Sequence, residues 1–395
     1  MKVLHISIFP PKGERHAETG GVASYTKNLI TNIPYNESDN IFILCNKING
    51  KKDSYYEDGI NVIRCFDKNP FFFFQLIKQI IKIKPDIIHI QQELSLYGNI
   101  ITAYILQWLI LFMRKYKVLI TLHGVVPIKK ITKDFIKENN SKLPIWIVKT
   151  VFRIIYVPIC LWAEKIIVHE KIFKNALIED YKISKDKIDV INHGIEDLKL
   201  KNREESCKKL ELDSNKDLVL FMGYATGYKG IDLLIDGFSE YSKINSNAFL
   251  IIGAGKHPKL FNDKAYLEEY ERLQNKAESL IKENNFKWIG FIEEKSIVDY
   301  YSAADVSIYP YTIQMSSSGP MAISIGYNKP FLASDVFKES IDDNILLFER
   351  NSKSMSDKLD FFFKNREEYN DVIKNMREEK LWNKVGESTY YFYKN

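Results

Sequence analysis

Cysteine is scarce: Cys45, Cys65, Cys160 and Cys207 are scattered, with no Cys-x-x-Cys pair and no histidine at ligand spacing. That distribution argues against a zinc site or a disulfide framework and fits a reducing compartment. Long apolar runs are missing too. The most apolar stretch, Ile100 to Met113, holds Thr102 and Gln107 and falls short of the ~20 residues that span a bilayer. The opening MKVLHISIFPP passes from one lysine straight into a strand-like segment and a proline pair, without the apolar core and cleavage site of a secretory signal. A cytoplasmic chain without a transmembrane helix is expected. Charge is close to balanced, at a formal +5, so wholesale nucleic-acid binding is not expected.

What is present describes a globular protein of two domains: 395 residues, 45% hydrophobic and 27% charged. Short β-branched runs (VLHISI, NIFILC, INVIRCF, DIIHIQ, KVLITLHG, KIIVHE) alternate with helical patterns, among them Gly21 to Ile33. A second series follows, with DLVLFMG, AFLIIGAG, FKWIGFI, DVSIYPY and KPFLASD. Such alternation predicts parallel βα units, hence an α/β fold of two Rossmann-like, doubly wound domains. The charged stretch from about Ile195 to Asp217 is the expected linker region, giving domains at 1–196 and 197–375, with an aromatic-rich terminal helix at 376–395.

Three loops have the chemistry to hold phosphate. In FMGYATGYKG a strand ends at Gly223, and Lys229-Gly230 opens a helix; free amides, the helix dipole and the lysine charge all favour an anion. A plain glycine turn with an exposed lysine is the alternative. Gly253 in IIGAGKH is a weaker candidate of the same kind. MSSSGP places Ser316, Ser317, Ser318 and Gly319 at a helix start, where an ordinary cap needs only one hydroxyl. In the first half, Gly20-Gly21 lies between the first strand and helix. His123 and His89 lie at or near the carboxyl ends of strands, where open α/β sheets bind ligands and where a single histidine is also often structural.

These pieces, in this order, resemble glycosyltransferase family 4, retaining enzymes of the GT-B architecture, over nearly the whole chain. The resemblance rests on Gly20-Gly21 followed by Tyr25, TLHG, VINHGIE, FMGYATGYKGIDLLIDGF, IIGAG, and WIGF followed by YYSAADVSIYPY. It implies two domains facing across a cleft, with the terminal helix crossing back onto the first. It also implies a nucleotide-sugar co-substrate and no permanently bound cofactor. Lys229 would meet the donor diphosphate, the amides near Ser317, Ser318 and Gly319 the distal phosphate, and Gly21 the phosphate from the first domain. His123 would hydrogen-bond the transferred sugar, making His123 and Lys229 the catalytic pair.

No Asp-x-Asp occurs, so a metal-independent hexosyltransferase is expected, with Lys229 and helix dipoles in the ion's place. The resemblance has two departures. The family's pair of glutamates falls on Met315 and Ile323, and no arginine precedes Lys229 between Gly223 and Tyr228. A lost charge-assisted hydrogen bond of roughly 1.5–3 kcal/mol would weaken donor binding one to two orders of magnitude.

The expected activity is transfer to a hydroxyl of a cell-surface polysaccharide, glycolipid or lipid-linked precursor. The alternative is a catalytically silent GT-B protein that binds a partner transferase or a glycan. A GT-B epimerase or phosphorylase finds no matching segment, and a nicotinamide dehydrogenase would need GxGxxG where PPKGERHAETGG stands. From Pro127 to Arg153 seven basic residues face only Asp134 and Glu138, interleaved with Trp146, Phe152 and aliphatic residues, and PFFFFQLIKQIIKIKP is similar in kind. This suits an anionic membrane surface, or equally a domain core with a solvated lysine face.

Overall fold

The β-branched runs form two separate sheets, each built almost entirely of parallel strands. The computed structural model describes residues 1–14, 21–138, 143–314 and 318–395. Gly20, Met315, Ser316 and Ser317 lie outside these residues, so the expectations for them lie outside them too.

The first sheet contains β1 (Lys2–Ile6), β2 (Asn40–Asn46), β3 (Asp53–Glu57), β4 (Ile60–Phe66), β5 (Ile87–Gln92), β6 (Lys117–Leu122), β7 (Lys165–Val168) and β8 (Ile188–Val190). Their order is β3-β4-β2-β1-β5-β6-β7-β8, antiparallel only between β3 and β4. Every residue of β5 is buried, as a central parallel strand covered on both faces requires. The covering helices are α1 (Gly21–Asn32), α2 (Phe72–Ile83), α3 (Ile100–Met113), the short α4 (Lys133–Glu138), α5 (Ile145–Trp162) and α6 (Lys171–Glu179). Asn99 starts α3 through a reciprocal cap with Thr102, and α2 stops where Lys84 turns left-handed before Pro85.

The second sheet has the order β11-β10-β9-β12-β13-β14. Its strands are β9 (Asp217–Tyr224), β10 (Ala248–Gly255), β11 (Phe286–Trp288), β12 (Val306–Tyr309), β13 (Phe331–Ser334) and β14 (Leu347–Phe348). With it go α7 (Arg203–Leu210), α8 (Ile231–Ile244), α9 (Lys264–Leu280), α10 (Glu294–Ala303), α11 (Gly319–Gly326), α12 (Ser352–Lys364) and α13 (Arg366–Lys380), and the chain ends in α14 (Trp382–Lys394). Asn202 caps α7, with Glu204 and Glu205 in its first turn and Lys208 and Lys209 in its last, a charge order that opposes the helix dipole.

The chain divides into one unit of Met1–Gly194 with Trp382–Asn395 and another of Ile195–Leu381. These divisions shift the expected ones at 196/197 and 375/376. The segment expected to start the terminal helix, 376–380, is the end of α13, which packs on the second unit through Tyr369 and Ile373. α14 packs tightly on the first unit: a Cβ on Gly386 would lie 2.0 Å from the Asn32 carbonyl oxygen, and one on Gly194 2.3 Å from the Trp382 ring. Trp382, Val385, Tyr390 and Tyr393 thereby join Tyr25 and Leu29 in one apolar cluster.

By length and composition α5, at 18 residues, is long and apolar enough to cross a membrane, whereas α3 is shorter. Lys149, Arg153 and Pro158 hid this in the sequence. In the fold, Phe152, Ile155, Tyr156, Ile159 and Cys160 bury one face of α5 in the core of the first unit.

Candidate active site

In the second unit the turn after β9 delivers Lys229 into a largely apolar setting. The strand fixes Gly223, past which the lysine side chain runs at 3.9 Å from where a Cβ would stand. The Lys229 ammonium lies 2.5 Å from the Tyr311 hydroxyl, 3.9 Å from the centroid of that ring and 4.9 Å from the Tyr228 ring. No carboxylate pairs with it among the described residues. Burial lowers its pKa to about 8. Tyr311 continues the chain to Ser318, whose Oγ is 2.9 Å from the phenol oxygen. Ser318 in turn caps α11, its side chain accepting from the Met321 amide. A desolvated cation thus leads, through one phenol, to the positive end of a helix. An anion placed there would regain for Lys229 the charge partner it lacks and would meet the Gly319 amide, since Pro320 carries no N–H and Met321 donates to Ser318.

The glycines of this region do different work. Gly230 has φ +70°, and its Cβ would lie 1.8 Å from the Pro310 carbonyl oxygen, so it lets the turn touch the end of β12. At Gly253, which was expected at the donor, a Cβ would meet Ile292 at 2.4 Å and the Phe221 carbonyl at 3.1 Å, so packing in β10 by itself calls for glycine there. Gly21, at the start of α1 in the first unit, and Gly319, at the start of α11, face open space, which leaves their backbones approachable. Ile323, where the resemblance places a carboxylate, packs beside Tyr327 against an apolar cluster.

In the first unit the carboxyl edge of the sheet carries a row of histidines. His123 follows β6, His169 follows β7, and His193 stands three residues beyond β8; Leu122 pairs with Val168 and Val168 with Val190 in register. Tyr25 of α1 fills the space between them, with ring centroids 4.6 Å from His123, 5.0 Å from His169 and 4.9 Å from His193. The hydrogen bonds have a direction. His169 Nδ1 is 3.0 Å from the Ile191 carbonyl oxygen, which only accepts, so that nitrogen carries the proton. His169 Nε2 then accepts from His123 Nδ1 at 3.3 Å, leaving a lone pair on His123 Nε2. The Gln91 amide atom 2.9 Å from that lone pair is therefore its nitrogen, since a flip of the amide exchanges its two ends without changing its shape. Further along, His89 lies 2.8 Å from Thr121 Oγ1 and 2.7 Å from the Tyr393 hydroxyl of α14.

Burial keeps these imidazoles neutral. It lowers His89 and His169 to about 3 and holds half-buried His123 well below its usual value, with neighbouring histidines adding to the effect. His123 can accept a hydrogen bond from a hydroxyl only where that hydroxyl displaces the Gln91 amide from Nε2, and it cannot serve as an acid near neutrality. Among the described residues no group of three or more His, Cys, Asp or Glu side chains is placed to hold a metal ion.

The structure links Lys229 and Ser318 through Tyr311, and places His123 in the first unit beside His169, Gln91 and Tyr25. Sequence reasoning missed Tyr311, whose tie to Lys229 spans 82 positions. It also passed over His169, although KIIVHE carries the same strand-end signal that singled out His123.

Comparison with known proteins bears on the family and the fold. Residues 19–197 match the family described as Glycosyltransferase Family 4, and residues 202–379 match Glycosyl transferases group 1. An uncharacterised glycosyltransferase of Methanocaldococcus jannaschii is 22% identical over 321 residues, covering 78% of this chain and 75% of its own. Among solved structures, sucrose-phosphate synthase from Thermosynechococcus elongatus superposes with a TM-score of 0.70 at 15% identity, covering 100% of this chain and 98% of its own. Anabaena HepE in complex with UDP gives 0.68 at 13% identity, with 100% of both chains covered. With both halves matched in order and the fold shared with GT-B enzymes, the chain belongs to the glycosyltransferases of family 4.

Proposed function

We propose that this glycosyltransferase is a retaining, metal-independent hexosyltransferase that moves a sugar from a nucleotide-sugar donor to a hydroxyl of a cell-surface polysaccharide, glycolipid or lipid-linked precursor. It would work in the cytoplasm, peripherally at the inner face of the membrane. One observation carries the donor assignment: the buried Lys229 ammonium, without a carboxylate partner among the described residues, joined through Tyr311 and Ser318 to the start of α11. A diphosphate supplies the missing charge. The complexes of HepE with UDP and with UDP-glucose support a uridine donor.

In this reading the bond from the anomeric carbon to the diphosphate oxygen breaks as Lys229 and the Gly319 amide stabilise the leaving charge. The acceptor oxygen bonds to the same face of that carbon, and its proton passes to the departing phosphate oxygen. A hydroxyl of the transferred sugar replaces Gln91 as the donor to His123 Nε2 as positive charge develops on the sugar. Gly21 and Gly319 offer backbone amides without steric cost.

Ile323 favours the second reading, a catalytically silent GT-B protein that binds a partner transferase or a glycan, because an apolar side chain fills the position of a ribose-binding carboxylate. Calorimetric titration of UDP, GDP and ADP sugars into wild type and Lys229→Met decides between them. Saturable binding that the variant loses supports the donor assignment. Failure of every sugar nucleotide to bind wild type moves the choice to the silent protein.

A further inference from the structure

The first unit carries an apolar surface that folding leaves uncovered. Helix α3 is apolar around its whole circumference, a pattern expected of a helix enclosed on all sides. Only its inner face is enclosed. Ile101, Tyr104, Trp108 and Phe112, spaced three or four residues apart, line the outer face, with Trp108 46% exposed. Helices α2 and α5 flank it. The Trp108 and Trp162 rings lie 6.0 Å apart, and a shallow groove between α2 and α3 is lined by Pro70, Phe71, Phe73, Phe74, Ile105 and Trp108. Phe74 is 68% exposed, as is Trp146 at the start of α5. Three neighbouring helices therefore present large aromatic side chains to water, a contiguous patch of the kind that marks an interaction surface.

The charges carried by these three helices all have one sign, the nearest acidic residue in sequence being Glu164 just past α5. Lys78, Lys82 and Lys84 belong to α2 and its end, Arg114 and Lys115 follow α3, and Lys149 and Arg153 lie on α5. Neither the three helices nor the residues that directly bound them (71–84, 99–117 and 143–163) contain an aspartate or glutamate. Exposed aromatics among lysines and arginines, without acidic residues, complement a surface that is apolar below and anionic above.

We infer that the outer face of α2, α3 and α5 docks on an anionic phospholipid bilayer, with Phe74, Trp108 and Trp146 entering the headgroup boundary and the flanking basic residues contacting lipid phosphates. Of these helices α5 overlaps the expected segment 127–153 and α2 the similar stretch PFFFFQLIKQIIKIKP, so α3 is the addition. The buried face of α5 stays on the protein core, so the helix lies along the bilayer and does not cross it. The inference rests on the peripheral-membrane part of the proposed function. Its assay contains no sugar nucleotide, so its failure leaves the donor assignment standing.

The test is co-sedimentation of the full chain with vesicles of phosphatidylcholine alone and of phosphatidylcholine mixed with phosphatidylglycerol. Expected is binding to the mixed vesicles that weakens with salt, falling at least about tenfold in Lys78→Glu/Lys82→Glu and in Phe74→Ser/Trp108→Ser. All four positions are exposed, and unchanged circular dichroism and melting confirm that the variants fold. Absence of binding to mixed vesicles, or equal binding by the variants, overturns the inference. So does self-association by light scattering that the aromatic variants abolish, which would assign the face to a second copy of the chain. Membrane association that resists carbonate extraction would overturn the lying orientation in favour of a crossing helix.

Discussion

His169 Nε2 stands 3.3 Å from His123 Nδ1, and the opposite nitrogen of His169 is tied to the Ile191 carbonyl, so one imidazole sets the tautomer of the other. His123 keeps its proton on the nitrogen facing His169 and turns its lone pair to the Gln91 amide. Replacing His169 by phenylalanine removes that control while preserving an aromatic body beside Tyr25. The expected outcome is a loss of up to about tenfold in kcat, the worth of one hydrogen bond, with donor KM little changed. Nitrogen-15 spectra of wild type should show His123 as the Nδ1-protonated tautomer at every pH from 6 to 8; a titrating His123 would refute the assignment.

Lys229 yields a pH dependence with a definite sign. Free protein holds its ammonium at about pKa 8, lowered by burial. A bound diphosphate favours the charged form and raises that value, so the protonated lysine binds more tightly. Donor affinity should be flat below about pH 7.5, then weaken as pH rises through 8, with proton uptake detectable by calorimetry in buffers of different ionisation enthalpy. Lys229→Met should abolish the proton uptake; its persistence would point to another group.

Gly230 and Gly319 flank the same site but should respond differently to one added methyl group. At Gly230 the alanine Cβ would collide with the Pro310 carbonyl in a left-handed backbone, and the second unit should lose more than about 2 kcal/mol of stability by urea unfolding. At Gly319 the same methyl enters open space, so stability should stay within ~0.5 kcal/mol. If Gly319→Ala nevertheless weakens sugar-nucleotide binding, the open space is where the donor sits; unchanged binding would argue against its amide as a contact.

The buried histidines predict acid sensitivity. His89 and His169 have folded values of about 3, against about 6.5 in an unfolded chain. Between those limits the unfolded state binds more protons, so stability is complete above about pH 6.5 and declines as pH falls toward 3. Each contributes up to about 1.4 kcal/mol per pH unit. Urea midpoints measured from pH 7.5 to 5 should fall, and His89→Gln should fall less steeply than wild type. A midpoint independent of pH over that range would refute this.

Much of the fold was legible because a parallel strand buried on both faces must be an unbroken apolar run, and both series of runs became sheets. Glycine and serine at the turns were legible for a similar reason: few residues tolerate those conformations. What each glycine touches was not. Gly253 reads as a phosphate loop residue in IIGAG, yet Ile292, 39 positions later, occupies its face. The α13–α14 break at Leu381 has no glycine or proline to announce it, and the terminal helix expected at 376–395 therefore starts inside α13. Exposure was the hardest to read. Apolar periodicity shows that α3 has no polar face, but not which of its faces the rest of the chain will leave bare.

Because α14 belongs to the first unit, that unit is assembled from two stretches made at different times. The ribosome completes β1 through β8 early, then synthesises the entire second unit, and only afterwards releases Trp382 to Tyr393. Until then, Tyr25 lacks the Trp382 ring that lies 5.1 Å from it, and His89 lacks its Tyr393 partner. The histidine row therefore reaches its final arrangement last, so a nascent chain has its Lys229 turn before it has a finished His123.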